Sequence, residues 1–154
     1  MLPELKTFLI AMSPLVELRG AIPVALGAYK LPFWSAYLFS VLGNLVPLVA
    51  ILLLLDPAAR FFSDRSLLFK EFFSWLFQHS RTAGQTKTEK WGKSLAVLIL
   101  VATPIPFIGG WTGAILAAVL GMPIKKALPL VVLGTLISGA VVGLLSSEML
   151  KLFC

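Results

Sequence analysis

The stretch FWSAYLFSVLGNLVPLVAILLLL, residues 33–55, decides what kind of protein this is, because its 23 consecutive positions carry no charge. Coiled as an α-helix at about 1.5 Å per residue it is about 35 Å long, enough to cross a hydrocarbon core of roughly 30 Å with some tilt. Pro47 lies inside it, and membrane helices tolerate a proline where neighbours re-satisfy the backbone. A second uncharged stretch, Ala127 to Ser147, carries Gly134, Gly139 and Gly143 and predicts a second spanning helix. Its Gly139-x-x-x-Gly143 spacing is that of close helix contacts in lipid.

Composition points the same way. Of 154 residues 58% are hydrophobic and 13% charged, against about 45–50% and about 25% in a soluble domain. So few charges cannot cover the surface of a small water-soluble fold. Residues 56–93 hold 11 of the 20 charges, so the remaining apolar stretches are nearly bare of them. A soluble enzyme, a disordered tail and a disulfide-rich secreted domain are excluded, leaving an integral membrane protein. The net charge of +6 does not indicate nucleic acid, since the basic residues flank apolar stretches instead of clustering on a polar face. Cys154 is the one cysteine and His79 the one histidine, so neither a disulfide nor a metal site is expected, nor any cofactor. Without a Ser/His/Asp set, paired carboxylates or a phosphate loop, enzymatic chemistry is not expected. Glu4, Lys6 and the early Ser13-Pro14 also argue against a cleaved signal peptide.

Two other apolar stretches are broken. Residues 7–29 contain Ser13-Pro14, then Glu17, Arg19 and Gly20, then Pro23 and Gly27. Residues 94–121 run smoothly to Val101, then break at Thr103-Pro104-Ile105-Pro106, followed by Gly109-Gly110-Trp111-Thr112-Gly113. Closely spaced prolines end a helix, and arms of about 8–11 residues reach about half-way through a membrane. Such segments are kinked spans or re-entrant hairpins; hairpins are the preferred reading, since irregular backbone at that depth must be buried or line a polar cavity. Between the halves, residues 58–78 predict an amphipathic helix with an aromatic face, suited to the interface plane, and 79–93 a solvated loop.

The halves resemble each other. Ser13-Pro14 matches Thr103-Pro104 and Gly20 matches Gly110 at an offset of 90; Pro32 matches Pro123 and Gly43-Asn44 matches Gly134-Thr135 at 91. A hairpin plus one crossing per unit inverts the second unit relative to the first. The expected architecture is therefore an all-α membrane protein, a single membrane domain over residues 1–154. Its inverted repeats (1–55 and 94–154) are each a re-entrant helical hairpin plus one transmembrane helix, joined by the interfacial helix and loop of 56–93. Nine Lys/Arg in 56–93 and the 122–126 turn against Lys6, Lys30 and Lys151 predict a cytoplasmic central loop and termini outside the cell membrane. Four full spans would instead put both repeats in one orientation, with the same charge count.

Charges at membrane depth face a cavity or each other and are functional candidates by default. Glu17 could bind and release a proton and Arg19 hold an anionic group, although on a continuous helix positions i and i+2 point apart. If both hairpins reach the midplane, the helices that follow, near Gly20 and Gly109, aim their N-termini at the centre, where an anion is favoured. Gly109 and Gly110 would let backbone approach a ligand, and Thr103 and Thr112 would offer hydroxyls. Asn44, a polar amide inside the first span, completes the candidate set, with packing as its competing role.

At SPLVELRGAIP, residues 13–23, with Gly27 following and TPIPFIGG at 103–110, the chain resembles the small multidrug export proteins and, through them, the DedA/VTT membrane proteins. The resemblance implies facing re-entrant hairpins and movement of lipids, undecaprenyl phosphate among them, often tied to proton-motive force. The DedA-type second-half motif has arginines three residues before and after a proline; aligned on Pro106 those positions are Thr103 and Gly109. Since Gly109 corresponds to Arg19 by the internal repeat, the first half is expected to supply one arginine. The expected function is proton-linked transport of an amphipathic anion such as a lipid or lipid-linked phosphate, with protons and membrane lipids as partners. Two hairpins and two spans enclose little volume, so a homodimer is one way to complete the path. The alternatives are export of cationic drugs, with Glu17 binding the cation, and a non-transporting membrane scaffold.

Overall fold

The computed structural model describes residues 2–65, 67, 71, 87–104 and 109–153. Among them the chain forms six helices: α1 (Pro3–Met12), α2 (Glu17–Gly27), α3 (Phe33–Arg65), α4 (Lys87–Ala102), α5 (Gly110–Val119) and α6 (Ile124–Phe153). Pro3 in the first turn of α1 fits a position whose N–H has no helical partner. The helix stops at Met12 because Ser13 precedes a proline and turns extended, at φ −69° and ψ 131°. The second break falls at its expected place: α4 ends at Ala102, just before Thr103-Pro104.

Two boundaries differ from the sequence expectation. The first span does not end at Leu55: α3 continues through Asp56 and Pro57 to Arg65. The start of the expected 58–78 helix is thus a prolongation of the spanning helix; a proline deletes one i→i−4 bond without obliging the helix to stop when turns on either side hold it. Most of the remainder of that segment, and His79, lie outside the described residues. Likewise Lys87 to Lys93, expected as loop, is the first part of α4. Lys87, Glu89 and Lys90 are good helix formers, and Glu89 and Lys93 stand at the favourable i,i+4 spacing.

Phe33–Leu55 and Ile124–Phe153 have mean hydropathies of 2.5 and 2.3, yet only 33% and 39% of their most apolar windows are buried. Leu38, Leu42, Val46 and Leu53 on α3, and Leu133, Leu144 and Leu145 on α6, face outward. A core helix of a soluble protein would bury such side chains, each worth roughly 1.5–3 kcal/mol. The interior is built instead from small residues, with Ala11, Ala21, Ala25, Ala36, Ala114, Ala117 and Ala127 fully buried, as close packing in lipid requires.

The two long helices run antiparallel. Phe33 packs at Gly143, Tyr37 at Gly139, and the Tyr37 hydroxyl donates to the Leu136 carbonyl at 3.0 Å, so as α3 advances its partner positions on α6 recede. Further along, Leu48 and Leu52 share a core with Val131 and Ala127. Helices α1 and α2 fold back on each other, with Lys6 over the Tyr29 ring at 5.6 Å and the turn of residues 13–16 at the opposite end. The last turns of α1, just before that turn, pack on the middle of α3: a Cβ at Gly43 would strike the Phe8 carbonyl oxygen and lie 3.0 Å from the Ala11 Cβ. The second half repeats this contact, for a Cβ at Gly134 would lie 2.7 Å from the Val101 Cβ. Exchanging α1 with α4, α2 with α5 and α3 with α6 leaves the set of packed helix pairs unchanged.

Candidate functional site

The two breaks meet beside the middle of the long helices, and there the first half reaches into the second. Glu17 begins α2 with φ 51°, a left-handed conformation that a non-glycine residue adopts at a cost of about 1–3 kcal/mol. Hydrogen bonds on both sides hold it, Glu17 N–H to the Ser13 carbonyl at 2.9 Å and Gly20 N–H to the Val16 carbonyl at 3.1 Å. This turn lets two side chains only two residues apart face one another. The Arg19 Nη2 lies 3.7 Å from the Glu17 Oε2, and the two side chains are 16% and 11% exposed, so neither charge is left to bulk solvent.

Each partner also grips one end of the broken second half. Arg19 Nη2 donates to the Thr103 carbonyl at 3.0 Å, just past the C-terminus of α4. The Trp111 N–H, in the first turn of α5, donates to the Glu17 Oε1 at 3.4 Å. A cation at a helix C-terminus and an anion at a helix N-terminus both match the helix dipole. Gly109 makes the approach possible: a Cβ there would collide with the Arg19 guanidinium and lie 2.8 Å from the Glu17 Oε2. Arg19 thereby meets both Thr103 and Gly109, one on either side of the second break.

The remaining candidates fall around this pair with altered roles. Gly20 and Thr112 line a cavity of about 230 Å³ with Pro14, Leu15, Val16, Glu17, Arg19 and Trp111. The Thr103 hydroxyl donates to the Ile99 carbonyl of its own helix, and its backbone carbonyl accepts from Arg19. Asn44 is 2% exposed, and its amide nitrogen lies 3.3 Å from where a Gly110 Cβ would stand. Its Oδ1 has no hydrogen-bond partner among the described residues. Gly110 also accommodates Leu48, whose Cδ1 would be 2.8 Å from a Cβ.

Trp111 was not among the candidates. Its contribution is a backbone N–H, for which the only signal is its place just after the break. The cavity walls of Pro14, Leu15 and Val16 were missed for a similar reason, since apolar residues in an apolar stretch carry no mark. No three His, Cys, Asp or Glu side chains converge among the described residues, so those residues offer no metal ligand set.

The model of the family described as "Putative small multi-drug export protein" matches residues 17–141, most of the chain, beginning at Glu17 itself. No curated protein sequence and no solved structure matches the chain.

Proposed function

We propose, starting from the fact that the chain belongs to the small multidrug export protein family, that it is a membrane transporter whose substrate passes through the Glu17–Arg19 site. The substrate on this reading is an amphipathic anion, such as a lipid or lipid-linked phosphate, and its movement is linked to protons. One observation carries the reading: a carboxylate and a guanidinium, 3.7 Å apart, sit where both helix breaks meet beside the middle of two spanning helices. Charge at that depth is expensive and marks substrate or proton pathways. Arg19 would hold the anionic head, Glu17 would exchange the proton, and Leu15, Val16 and Trp111 would flank the apolar part. The contact of Arg19 with both Thr103 and Gly109 favours kinship with the DedA/VTT proteins, one arginine here serving two positions.

The same reading makes each hairpin re-entrant and the repeats inverted. Four full spans would set α3 and α6 parallel; their antiparallel pairing supports an odd number of crossings per half. The excess of Lys/Arg in the central segment then favours a cytoplasmic placement for it. The test is translocation of a fluorescent phospholipid and of a fluorescent alkyl phosphate in reconstituted vesicles. Wild-type protein should move one of them, and Arg19→Gln should reduce the rate to that of empty vesicles; equal rates for both proteins would defeat the reading.

The family's description, which speaks of multi-drug export, favours a second reading, in which the exported compound is cationic and Glu17 is its counter-ion. Arg19 stands against it, because a second cation at Glu17 would meet like charge. Ethidium efflux that survives Arg19→Gln but not Glu17→Gln would decide for it.

A further inference from the structure

The anion-favouring end of α5 already holds an anion, and it belongs to the protein. Glu17 accepts from the Trp111 N–H at 3.4 Å, long for such a bond and close to the outer limit, so the contact is one that a stronger acceptor can displace. A substrate phosphate or carboxylate would need that N–H and the Arg19 guanidinium, which are the two donors that the described contacts of Glu17 engage. Glu17 and the substrate head therefore compete for one place.

Once neutral, Glu17 changes its needs. A carboxylate only accepts hydrogen bonds, whereas a carboxylic acid also carries an O–H that must find an acceptor. Asn44 has one to offer. Its amide nitrogen abuts Gly110 as the Glu17 Oε2 abuts the adjacent Gly109, and its buried Oδ1 is without a partner among the described residues. A buried acceptor left unmade costs about 1–3 kcal/mol, so a state that engages it regains that energy.

We infer that Asn44 is the receiving group of a two-position switch: Glu17 as carboxylate occupies the Trp111 N–H and Arg19, and Glu17 as acid turns to the Asn44 Oδ1 and yields both donors to a substrate anion. The inference rests on the transport reading above and specifies how proton and anion are tied together. No other charge competes for Glu17 among the described side chains. On α1, Lys6 sits over Tyr29 at the open end of the hairpin, and Glu4 lies one turn from the N-terminus. On α3 the Tyr37 hydroxyl is bonded to Leu136; on α6, Glu148 and Lys151 pair with each other at 2.7 Å, and Lys125 and Lys126 lie in the first turn. On α4, Lys93 lies over two turns before the break, and α5 has no ionisable side chain. Because one proton enters with each anion, affinity falls about tenfold per pH unit once Glu17 is ionised in the empty protein.

Purified protein in detergent, titrated with dodecyl phosphate and separately with inorganic phosphate from about pH 5 to about pH 9, tests this over the range in which a protein carboxyl can titrate. Glu17→Gln, whose amide can still donate to Asn44, should bind at every pH and follow only the second ionisation of the phosphate itself, at about pH 6. The ratio of wild-type to Glu17→Gln affinity, in which that ionisation cancels, should fall about tenfold per pH unit for dodecyl phosphate. Asn44→Leu should keep the slope but move its midpoint about one unit toward lower pH, the worth of one hydrogen bond to the neutral form. The same slope with inorganic phosphate supports the switch with a free ion as its ligand; the slope with dodecyl phosphate alone supports a lipid headgroup. A wild-type profile parallel to that of Glu17→Gln, or an Asn44→Leu profile that superimposes on the wild-type one, overturns the switch. If those profiles are parallel yet binding is lost in Arg19→Gln, only the switch fails; if Arg19→Gln binds as wild type does, the transport reading fails with it. Melting curves of each variant confirm that a folded protein is being compared.

Discussion

The two breaks are built on one plan and finished differently. The first, at Ser13-Pro14, is followed by Glu17 and Arg19; the second, at Thr103-Pro104, is followed by Gly109 and Gly110. Where the first half has charge, the second has space and bare backbone, and the charges of the one fill the space of the other. The difference teaches that two halves can match in how their helices pack while the chemistry at their junction comes from one side. The tip contacts at Gly43 and Gly134 are nearly equivalent, whereas the ionisable pair at the centre comes from one half alone.

The sharpest way to break the comparison is topological, because the outcome is all or none. Cys154 should react with an impermeant maleimide from outside intact cells, while a cysteine placed in the 79–86 segment should react only after the cells are broken. Protection of both would make the halves parallel. Next in size is the exchange of charge for space: Gly109→Val should abolish translocation, since its side chain must expel Arg19 from the contact. Arg19→Gln, which strands a buried carboxylate, should cost about 3–5 kcal/mol of stability if Glu17 stays ionised. Melting temperatures in detergent measure this, and an Arg19→Gln protein as stable as wild type would show that the pair is not mutually dependent.

The equivalent tip contacts predict a smaller, graded difference. Gly43→Ala should destabilise more than Gly134→Ala, each within about 1–3 kcal/mol. At Gly43 the new methyl meets the Phe8 carbonyl of the backbone, and at Gly134 the Val101 side chain. The smallest effects belong to the polar pair that follows these glycines. Asn44→Leu should be neutral or stabilising, by about 1 kcal/mol, because it removes an unpartnered acceptor. Thr135→Val should cost about 0.5–1 kcal/mol through its lost bond to the Val131 carbonyl. Equal losses at both positions would contradict their different bonding.

What could be read beforehand followed from which features leave a mark in a lone chain. An uninterrupted run of apolar residues marks a span, and Ser13-Pro14 and Thr103-Pro104 mark breaks because proline lacks a donor and restricts its predecessor. Glu17 and Arg19 stood out as charges in an apolar stretch. The Trp111 N–H and the Thr103 carbonyl could not stand out, since every residue has a backbone and only the tertiary arrangement selects which one is used. The continuation of α3 past Pro57 was hidden for the opposite reason: a local rule about proline was overridden by the turns on either side. The Asn44 environment depended on a contact with Gly110 in the other half, which no local pattern encodes.

The reach of Glu17 and Arg19 across the molecule also sets an order of events at birth. Their partners in the second half lie 94 and 84 positions further along the chain. At a synthesis rate of about 5–20 residues per second, the first hairpin waits about 5–20 s for the groups that will cap its charges. During that interval Glu17 and Arg19 have chiefly each other. On the transport reading, their mutual pairing is what a half-made chain has to offset two charges in an apolar stretch until its other half arrives.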